Sequence, residues 1–191
     1  VYVLIKCRSF LPGKSDWHFS AAILKEILNL SSLTCLQQSV MNFGILMVQG
    51  LVNSFGTVVM AAFAAAVKID TFAYLPVQDF GNAYSTFVAQ NYGAGNKERI
   101  RRGTKEAFAI STVFSLLISA LVCAFAAPLM QIFVSASETA VIASGVRYLR
   151  IEGAFYFGIG CLFLLYGYYR AIKRAEMSVV LTVISLGTRV L

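Results

Sequence analysis

Residues 84–105 read YSTFVAQNYGAGNKERIRRGTK, and this stretch decides the fold class. An apolar run reaches a Gly-rich break at 93–95, and apolar sequence resumes at Ala107. The cations between them are Lys97, Arg99, Arg101, Arg102 and Lys105. Membrane proteins retain Lys and Arg on the cytoplasmic side, and glycine allows the left-handed backbone that ends a helix. The pattern therefore predicts a membrane-spanning helix that reaches the cytoplasm, turns and re-enters the bilayer.

The composition of the chain also favours a membrane protein. Hydrophobic residues make up 58% of the 191 residues and charged residues 13%, whereas a soluble domain carries about 25% charged residues. The formal net charge is +7, but the cations occur in short clusters between apolar stretches. Such clusters are typical of contact with anionic lipid headgroups. We expect the lipid bilayer as a partner and no nucleic acid.

Apolar stretches of about the twenty residues that a bilayer requires recur along the chain. They lie at about 28–52, 58–92, 107–134, 145–169 and 177–191. The second is too long for a simple span. We expect residues 1–26 to be the end of a preceding helix plus a cytoplasmic loop, and residues 27–191 to form an all-α, multi-pass transmembrane lobe that the chain end truncates.

The distribution of cations between these stretches predicts the orientation of the helices. The loops around 6–25, 96–105 and 170–174 hold four, five and three cations, and the turns at 53–57 and 135–141 hold none. Cytoplasmic and external sides therefore alternate, which predicts a multi-pass protein of the cytoplasmic membrane. Arg147 and Arg150 are the exceptions, since they fall just inside the outer end of the fourth stretch.

The sequence lacks the residue patterns of a metal site or an enzyme. Cys7, Cys35, Cys123 and Cys161 form no C-x-x-C pair, and His18 is the single histidine. The cysteines do not support a disulfide framework, and we expect no metal site. No H-E-x-x-H motif, no D-x-x-D loop and no Ser/His dyad within the spans is present, so we expect no enzymatic activity.

The first apolar stretch carries a polar stripe. Gln38, Asn42, Gln49 and Asn53 fall within an arc of roughly 60° on a regular helix. Amides in hydrocarbon require partners, so the stripe must face other helices or water. Interhelical hydrogen bonding and the lining of a cleft both satisfy this requirement.

The second stretch carries a similar polar arc beyond Pro76. Asp79, Asn82, Thr86 and Gln90 fall within about 80° of one another. Pro76 predicts a kink at mid-membrane, and a carboxyl group one turn beyond it can be desolvated and protonated. Asp79 is therefore our first choice for binding a proton or attracting a cationic substrate. The alternative is that Asp79 accepts structural hydrogen bonds from neighbouring helices.

Further charged residues within the spans are interpreted as structural. Lys68 and Asp70 point to different sides of a helix, so each needs its own partner. Arg150 lies close enough to Glu152 for partial neutralisation.

Tyr156 is deeper in the fourth stretch and either stacks on an aromatic cation or packs as an ordinary core residue.

Several motifs resemble those of one family of transporters. The segment FVAQNYGAGN at 87–96, followed by Arg99, resembles the GQN-x-GAG-x-x-x-R signature of the multidrug and toxic compound extrusion (MATE) family. The segments AAAVKID at 64–70 with FAYLP at 72–76, and YLRI at 148–151 leading to YRA at 169–171, are also similar to that family. The resemblance covers about residues 28–191.

The resemblance implies a transporter of twelve helices, built from two six-helix lobes that face each other across a central cleft. This chain then corresponds to the C-terminal lobe, partly truncated, and its partner is the missing N-terminal lobe of the same protein. The implied activity is secondary antiport: export of cationic, lipophilic compounds in exchange for protons or sodium ions, with no other cofactor.

The chain departs from the family pattern at two positions. Some family members are described as binding cations through acids on helices seven and ten, and those positions fall near Ser39 and Ile159 here. Neither residue is a carboxylate, which puts a sodium site of that type in doubt. Coupling then depends on Asp79 or on an acid of the N-terminal lobe.

Two other functions stay open. A lipid-linked oligosaccharide flippase of the same superfamily shares the architecture, and a cleft lined by cations would favour it. The polar groups placed in the cleft region are mainly acids and neutral amides, which favours cationic cargo. A nonfunctional truncated fragment is the third possibility, because half of an alternating-access transporter cannot enclose a substrate.

Overall fold

The computed structural model describes the backbone of residues 19–190 and the side chains of residues 19–187. The predicted end of a preceding helix, and with it Cys7 and His18, lies outside the described residues. The helices are α1 (Ala21–Asn53), α2 (Thr57–Gly93), α3 (Lys97–Gln131), α4 (Thr139–Ala154), α5 (Tyr156–Ala171) and α6 (Ala175–Val190). Helices α1, α2 and α3 are each long and apolar enough to cross a membrane, and α4 and α5 meet the same criteria when the bent pair is taken as one span. The predicted all-α, multi-pass transmembrane bundle is confirmed.

The ends of the long helices follow from local chemistry. The Ser20 hydroxyl accepts a hydrogen bond from the Ile23 amide at the start of α1, and the Asn96 side chain accepts one from the Arg99 amide at the start of α3. These side chains satisfy backbone donors that lack a partner in the first turn. Gly56 and Gly95 have φ of 94° and 71°, which residues with a Cβ rarely adopt. The predicted turn after α2 therefore lies at the Gly-rich break.

Helix α3 begins ten residues before its apolar part, which was predicted at 107–134. Its first turns contain Arg, Lys and Glu, which favour helix formation, and Arg102 forms an ion pair with Glu106 one turn later at 3.0 Å. Helix α2 continues as one helix through Pro76. In α3, non-helical backbone occurs at Phe125, three residues before Pro128.

The fourth apolar stretch differs most from the prediction of one span at 145–169. The structure divides it at Phe155 into α4 and α5, which meet at a bend of 50°. Helix α4 packs against α3 and almost as extensively against α2, whereas α5 packs more on α2 than on α3. Both halves therefore contact the same two helices, on either side of the bend.

Helix α2 is the centre of the bundle, because it contacts α3, α4, α5 and, more weakly, α1. Its closest neighbour is α5: a Cβ on Gly167 would lie 2.6 Å from the backbone oxygen of Gly81. Small residues allow this approach, as in other membrane helix pairs. Helix α1 packs mainly on α6, where Gly44 faces the side chain of Leu186.

Candidate functional site

Asp70 and Tyr156 form a buried polar contact between two helices. Each residue is 5% exposed, and the Tyr156 hydroxyl donates a hydrogen bond to Asp70 Oδ1. The bond joins the middle of α2 to the first residue of α5, immediately after the bend. The residues of the surrounding apolar core are Ala65, Ala66, Ile69, Ala73, Val122, Ala126, Met130 and Leu149. The structure therefore brings together two residues that the sequence analysis treated separately.

The depth of this pair follows from contacts nearer the basic turn. The Tyr84 hydroxyl lies 2.7 Å from Thr104 Oγ1, and Thr104 belongs to the charged first part of α3. Tyr84 is thus level with the end of the apolar region. Asp70 precedes Tyr84 by 14 residues, or about 21 Å along a helix. The hydrocarbon core of a bilayer is about 30 Å thick, so the Asp70 carboxyl group lies within it.

Two buried serines of α3 face α5 one turn beyond Tyr156. The Ser111 and Ser115 hydroxyl groups face Gly160, where a Cβ would lie 2.9 and 2.7 Å from them. Neither hydroxyl has a hydrogen-bond partner among residues 19–187. Ser115 and Tyr156 also line the same cavity of about 10 Å³. These serines were not predicted as site residues, although their spacing of four residues places both on one helix face.

Lys68 and Asp70 have separate surroundings, as two residues' spacing predicts. The Lys68 side chain is exposed, and its Nζ lies 5.6 Å from the centre of the Phe133 ring. Lys68 also lines an open cleft of about 270 Å³ together with Glu138 and Ser135. This cleft lies beside the turn between α3 and α4, away from the basic turn after α2.

The polar arc of α2 lies on the outside of the described bundle. Asp79 and Asn82 are both exposed, and Asp79 forms no ion pair within residues 19–187. Asn82 Oδ1 accepts a hydrogen bond from Arg170 Nη2 at 3.0 Å. From the sequence, Arg170 was a cation of the loop at 170–174 and part of the YRA motif. The contact joins residues 88 positions apart, so no spacing could have predicted it.

The amide stripe of α1 also faces outward. Gln38, Asn42 and Gln49 are all exposed, and Gln38 Nε2 donates a hydrogen bond to Asn42 Oδ1 at 3.3 Å. Because both atoms belong to α1, this bond does not join α1 to another helix. The stripe therefore stands apart from the Asp70–Tyr156 pair, and it presents amide groups on an outer surface of the bundle.

The charged residues of α4 lie at its last turn. The Arg150 side chain is exposed, while its carbonyl oxygen accepts a weak hydrogen bond from Cys123 Sγ at 3.8 Å. Glu152 is half-buried, four residues before Tyr156. Cys123 Sγ would also lie 3.2 Å from a Cβ on Gly153, so this turn of α4 packs tightly on α3.

An exposed ion pair joins α1 to the loop between α5 and α6. The Lys173 ammonium group contacts the Glu26 carboxylate, and this contact raises the pKa of Lys173 above its ordinary value. Lys173 has a φ of 61°, the left-handed conformation that allows the chain to turn between the two helices. The pair lies at the basic end of the bundle and stays outside the apolar spans.

Comparison with known proteins relates this chain to transporters. The family model described as MatE matches residues 33–191. The probable multidrug resistance protein YpnP of Bacillus subtilis (strain 168) is 33% identical over 175 residues, which cover 92% of this chain and 38% of the relative. The probable multidrug resistance protein NorM of Thermotoga maritima is 24% identical over 187 residues, which cover 98% of this chain and 40% of the relative.

Solved structures have the same fold. A crystal structure of MATE in complex with MaL6 gives a TM-score of 0.87 at 21% identity, over 97% of this chain and 43% of that one. A MOP superfamily transporter from Pyrococcus furiosus, described as having a binding pocket of reverse polarity, gives a TM-score of 0.86 at 22% identity over the same shares. The chain thus spans about two fifths of the length of the relatives it matches.

Proposed function

The chain belongs to the MatE family, and on this premise we propose that it forms one lobe of a secondary antiporter that exports drugs and other toxic compounds. Members of this family are transporters rather than enzymes. The proposed cargo is cationic and lipophilic, the exchanged ion is a proton or sodium ion, and the proposed location is the cytoplasmic membrane. The other lobe would come from the N-terminal part of the same protein.

The observation that carries this proposal is the outward-facing polar surface of α1 and α2. Asp79, Asn82, Gln38, Asn42 and Gln49 are exposed on helices that are otherwise apolar. Lipid does not satisfy such groups, so they must face water or protein. A cleft between two lobes supplies that environment.

The chemistry of this surface suits a cationic, partly apolar molecule. The Asp79 carboxylate would attract a positive charge, and the amides would accept or donate hydrogen bonds that orient the cargo. Large apolar side chains on the same face of α2, Phe72 and Leu75, are exposed as well. A lipophilic cation can use the carboxylate and the apolar surface together.

One observation favours a second candidate function. Arg170 contacts Asn82 and therefore places a guanidinium group beside the same polar arc. A guanidinium group binds phosphates well, so this position could serve a lipid-linked oligosaccharide carried by a flippase. The arc itself contributes an acid and amides, and for this reason we place multidrug export first.

Dye efflux from proteoliposomes that contain the full-length transporter tests the proposal. Either a proton gradient or a sodium gradient is imposed, and wild type is compared with Asp79→Asn. The matched control is Glu98→Gln, because Glu98 is an exposed acid in the first turn of α3, outside the apolar span. We expect export of a cationic dye that the control retains and Asp79→Asn loses.

The other outcomes of this assay are equally informative. Gradient-driven export that Asp79→Asn retains would make Asp79 structural and move cargo or ion binding elsewhere. No export of any cationic dye under either gradient would overturn the multidrug proposal and bring the flippase forward. The same assay with this chain alone tests whether it is a nonfunctional truncated fragment.

A further inference from the structure

The open cleft beside the turn between α3 and α4 carries two opposite charges. It has a volume of about 270 Å³, and both Lys68 of α2 and Glu138 at the start of α4 line it. Both side chains are exposed, and within residues 19–187 neither of them forms an ion pair. The space between them therefore suits a ligand that carries a negative and a positive charge of its own.

Small side chains leave this space open. Ala61, Ala64 and Ala65 line the cleft from α2, on the same helix face as Lys68. Larger side chains at these positions would fill the space between α2 and the turn. Pockets for drug-sized molecules have volumes of about 300–1,000 Å³, so this cleft fits a smaller polar group.

The cleft lies where the apolar span of α2 ends. Lys68 precedes Tyr84 by 16 residues, or about 24 Å along the helix, and Tyr84 is level with the opposite end of the apolar region. The hydrocarbon core of a bilayer is about 30 Å thick, and a long lysine side chain near its boundary directs the ammonium group to the headgroups. In the turn after α3, Ile132 and Phe133 are 70% and 43% exposed. A lipid headgroup in the cleft can therefore keep its acyl chains against an apolar surface.

The lining residues favour one kind of headgroup. A lysine ammonium group binds phosphate as a point charge, and a primary ammonium group can donate hydrogen bonds to the Glu138 carboxylate and the Ser135 hydroxyl. A quaternary ammonium group has no N–H and is recognised by a cage of aromatic rings. Among the described residues that line the cleft, Phe133 is the aromatic one, and Lys68 Nζ already lies 5.6 Å from the centre of its ring. This chemistry favours an ethanolamine headgroup over a choline headgroup.

We propose that this cleft binds the headgroup of a phospholipid with a phosphate and a primary ammonium group, as in phosphatidylethanolamine. Lys68 binds the phosphate, Glu138 binds the ammonium group, and the Ser135 hydroxyl lies beside the same cleft. The bound lipid joins α2 to the start of α4. This site does not depend on the antiport activity proposed above.

Competition between two lipids tests the site, with native mass spectrometry as the measurement. The full-length protein, freed of lipid in detergent, receives equal amounts of phosphatidylethanolamine and phosphatidylcholine with the same acyl chains. Both lipids carry the phosphate, so the ratio of the two bound forms reports on the ammonium contact. We expect wild type to prefer phosphatidylethanolamine about tenfold, the ratio that one charge-assisted hydrogen bond gives. Equal binding of the two lipids would overturn the proposal.

Two variants separate the contacts of the phosphate and of the ammonium group. Glu138→Gln should abolish the preference between the two lipids, whereas Lys68→Gln should weaken the binding of both about tenfold and keep the preference. The matched controls are Glu98→Gln and Lys97→Gln, exposed neighbours in the first turn of α3 at the opposite end of the bundle. Both controls should keep the wild-type preference. A preference that survives Glu138→Gln, or an affinity unchanged by Lys68→Gln, would contradict the proposal.

A third variant blocks the cleft and keeps both charges. Ala64 is exposed in the cleft, so Ala64→Leu should remove the lipid preference, while Ala143→Leu on an exposed position of α4 outside the cleft should retain it. Retention of the preference in Ala64→Leu would also refute the site.

Free phosphoethanolamine distinguishes a lipid from a soluble zwitterion. We expect it to compete far less well than the lipid, because it lacks the acyl chains. Displacement of the lipid by an equal concentration of phosphoethanolamine would overturn the assignment to a lipid. If dye efflux fails while the Glu138-dependent preference persists, the proposed function is wrong and the lipid site stands.

Discussion

The close approach of α2 and α5 leads to a sharp prediction for Gly167. A Cβ at this position would lie 2.6 Å from the Gly81 backbone oxygen, about 0.8 Å less than the 3.4 Å at which ordinary contact begins. A backbone atom cannot rotate away as a side chain can, so Gly167→Ala must push the two helices apart. We expect the free energy of unfolding to fall by about 2 kcal/mol, within the range for an overpacked core.

The size of this effect follows from the contacts that separation would weaken. A gap of 0.5–1 Å forfeits about a quarter to a half of each dispersion contact across an interface. Helices α2 and α5 form the most extensive helix pair of the described bundle, so many contacts weaken together. Compensating gains are small, since replacing a helical glycine by alanine favours the helix by at most about 1 kcal/mol.

Gly158→Ala is the matched control, because Gly158 lies on the same helix and a Cβ there would meet nothing within 4 Å. Thermal denaturation of the full-length protein in detergent measures both variants. We expect Gly158→Ala to match or slightly exceed wild type, and Gly167→Ala to unfold at a clearly lower temperature. Equal stability of the two variants would refute the described packing of α5 on α2.

Two further predictions concern polar contacts. Asn82→Ala should lower the free energy of unfolding by about 1–3 kcal/mol, because it leaves the half-buried Arg170 guanidinium group without this acceptor. The control Gln90→Ala should have little effect. Thermal denaturation compares the stability of the two variants. Glu26→Gln should lower the pKa of Lys173 toward its ordinary value and speed acylation of its amine. Since Glu26 raises the folded-state pKa of Lys173, the pair is intact at neutral pH and is lost as pH rises through that pKa. Acylation rates unchanged by Glu26→Gln would show that the pair is absent in solution.

The elements of this fold were predictable because their signals are local. Hydrophobic length and clusters of Lys and Arg predicted the long helices and the turn after α2, and both features depend on neighbouring residues. The bend at Phe155 was not predictable in this way. It depends on how α4 and α5 pack against α2 and α3, which no stretch of twenty residues records.

The candidate site was predicted as separate residues. Asp70 and Tyr156 were both singled out, but Asp70 as a structural charge and Tyr156 as a ring for stacking or for ordinary core packing. Their hydrogen bond links positions 86 residues apart. Asp79, the first choice for ion binding, is exposed on the outer face of α2, and its role stays a prediction.

The sequence by itself determined the membrane environment, the order of the helices and the family. Only the tertiary structure decided which side of each helix faces the core. The physical reason is that lipid is as apolar as the interior of the bundle, so hydrophobicity does not distinguish the two sides of a membrane helix. Phe72 is 74% exposed while Asp70, two residues earlier, is buried, the reverse of what hydrophobicity predicts for a protein in water. Close contacts such as Gly81 against Gly167 orient the helices, and that orientation turns Asp70 toward Tyr156.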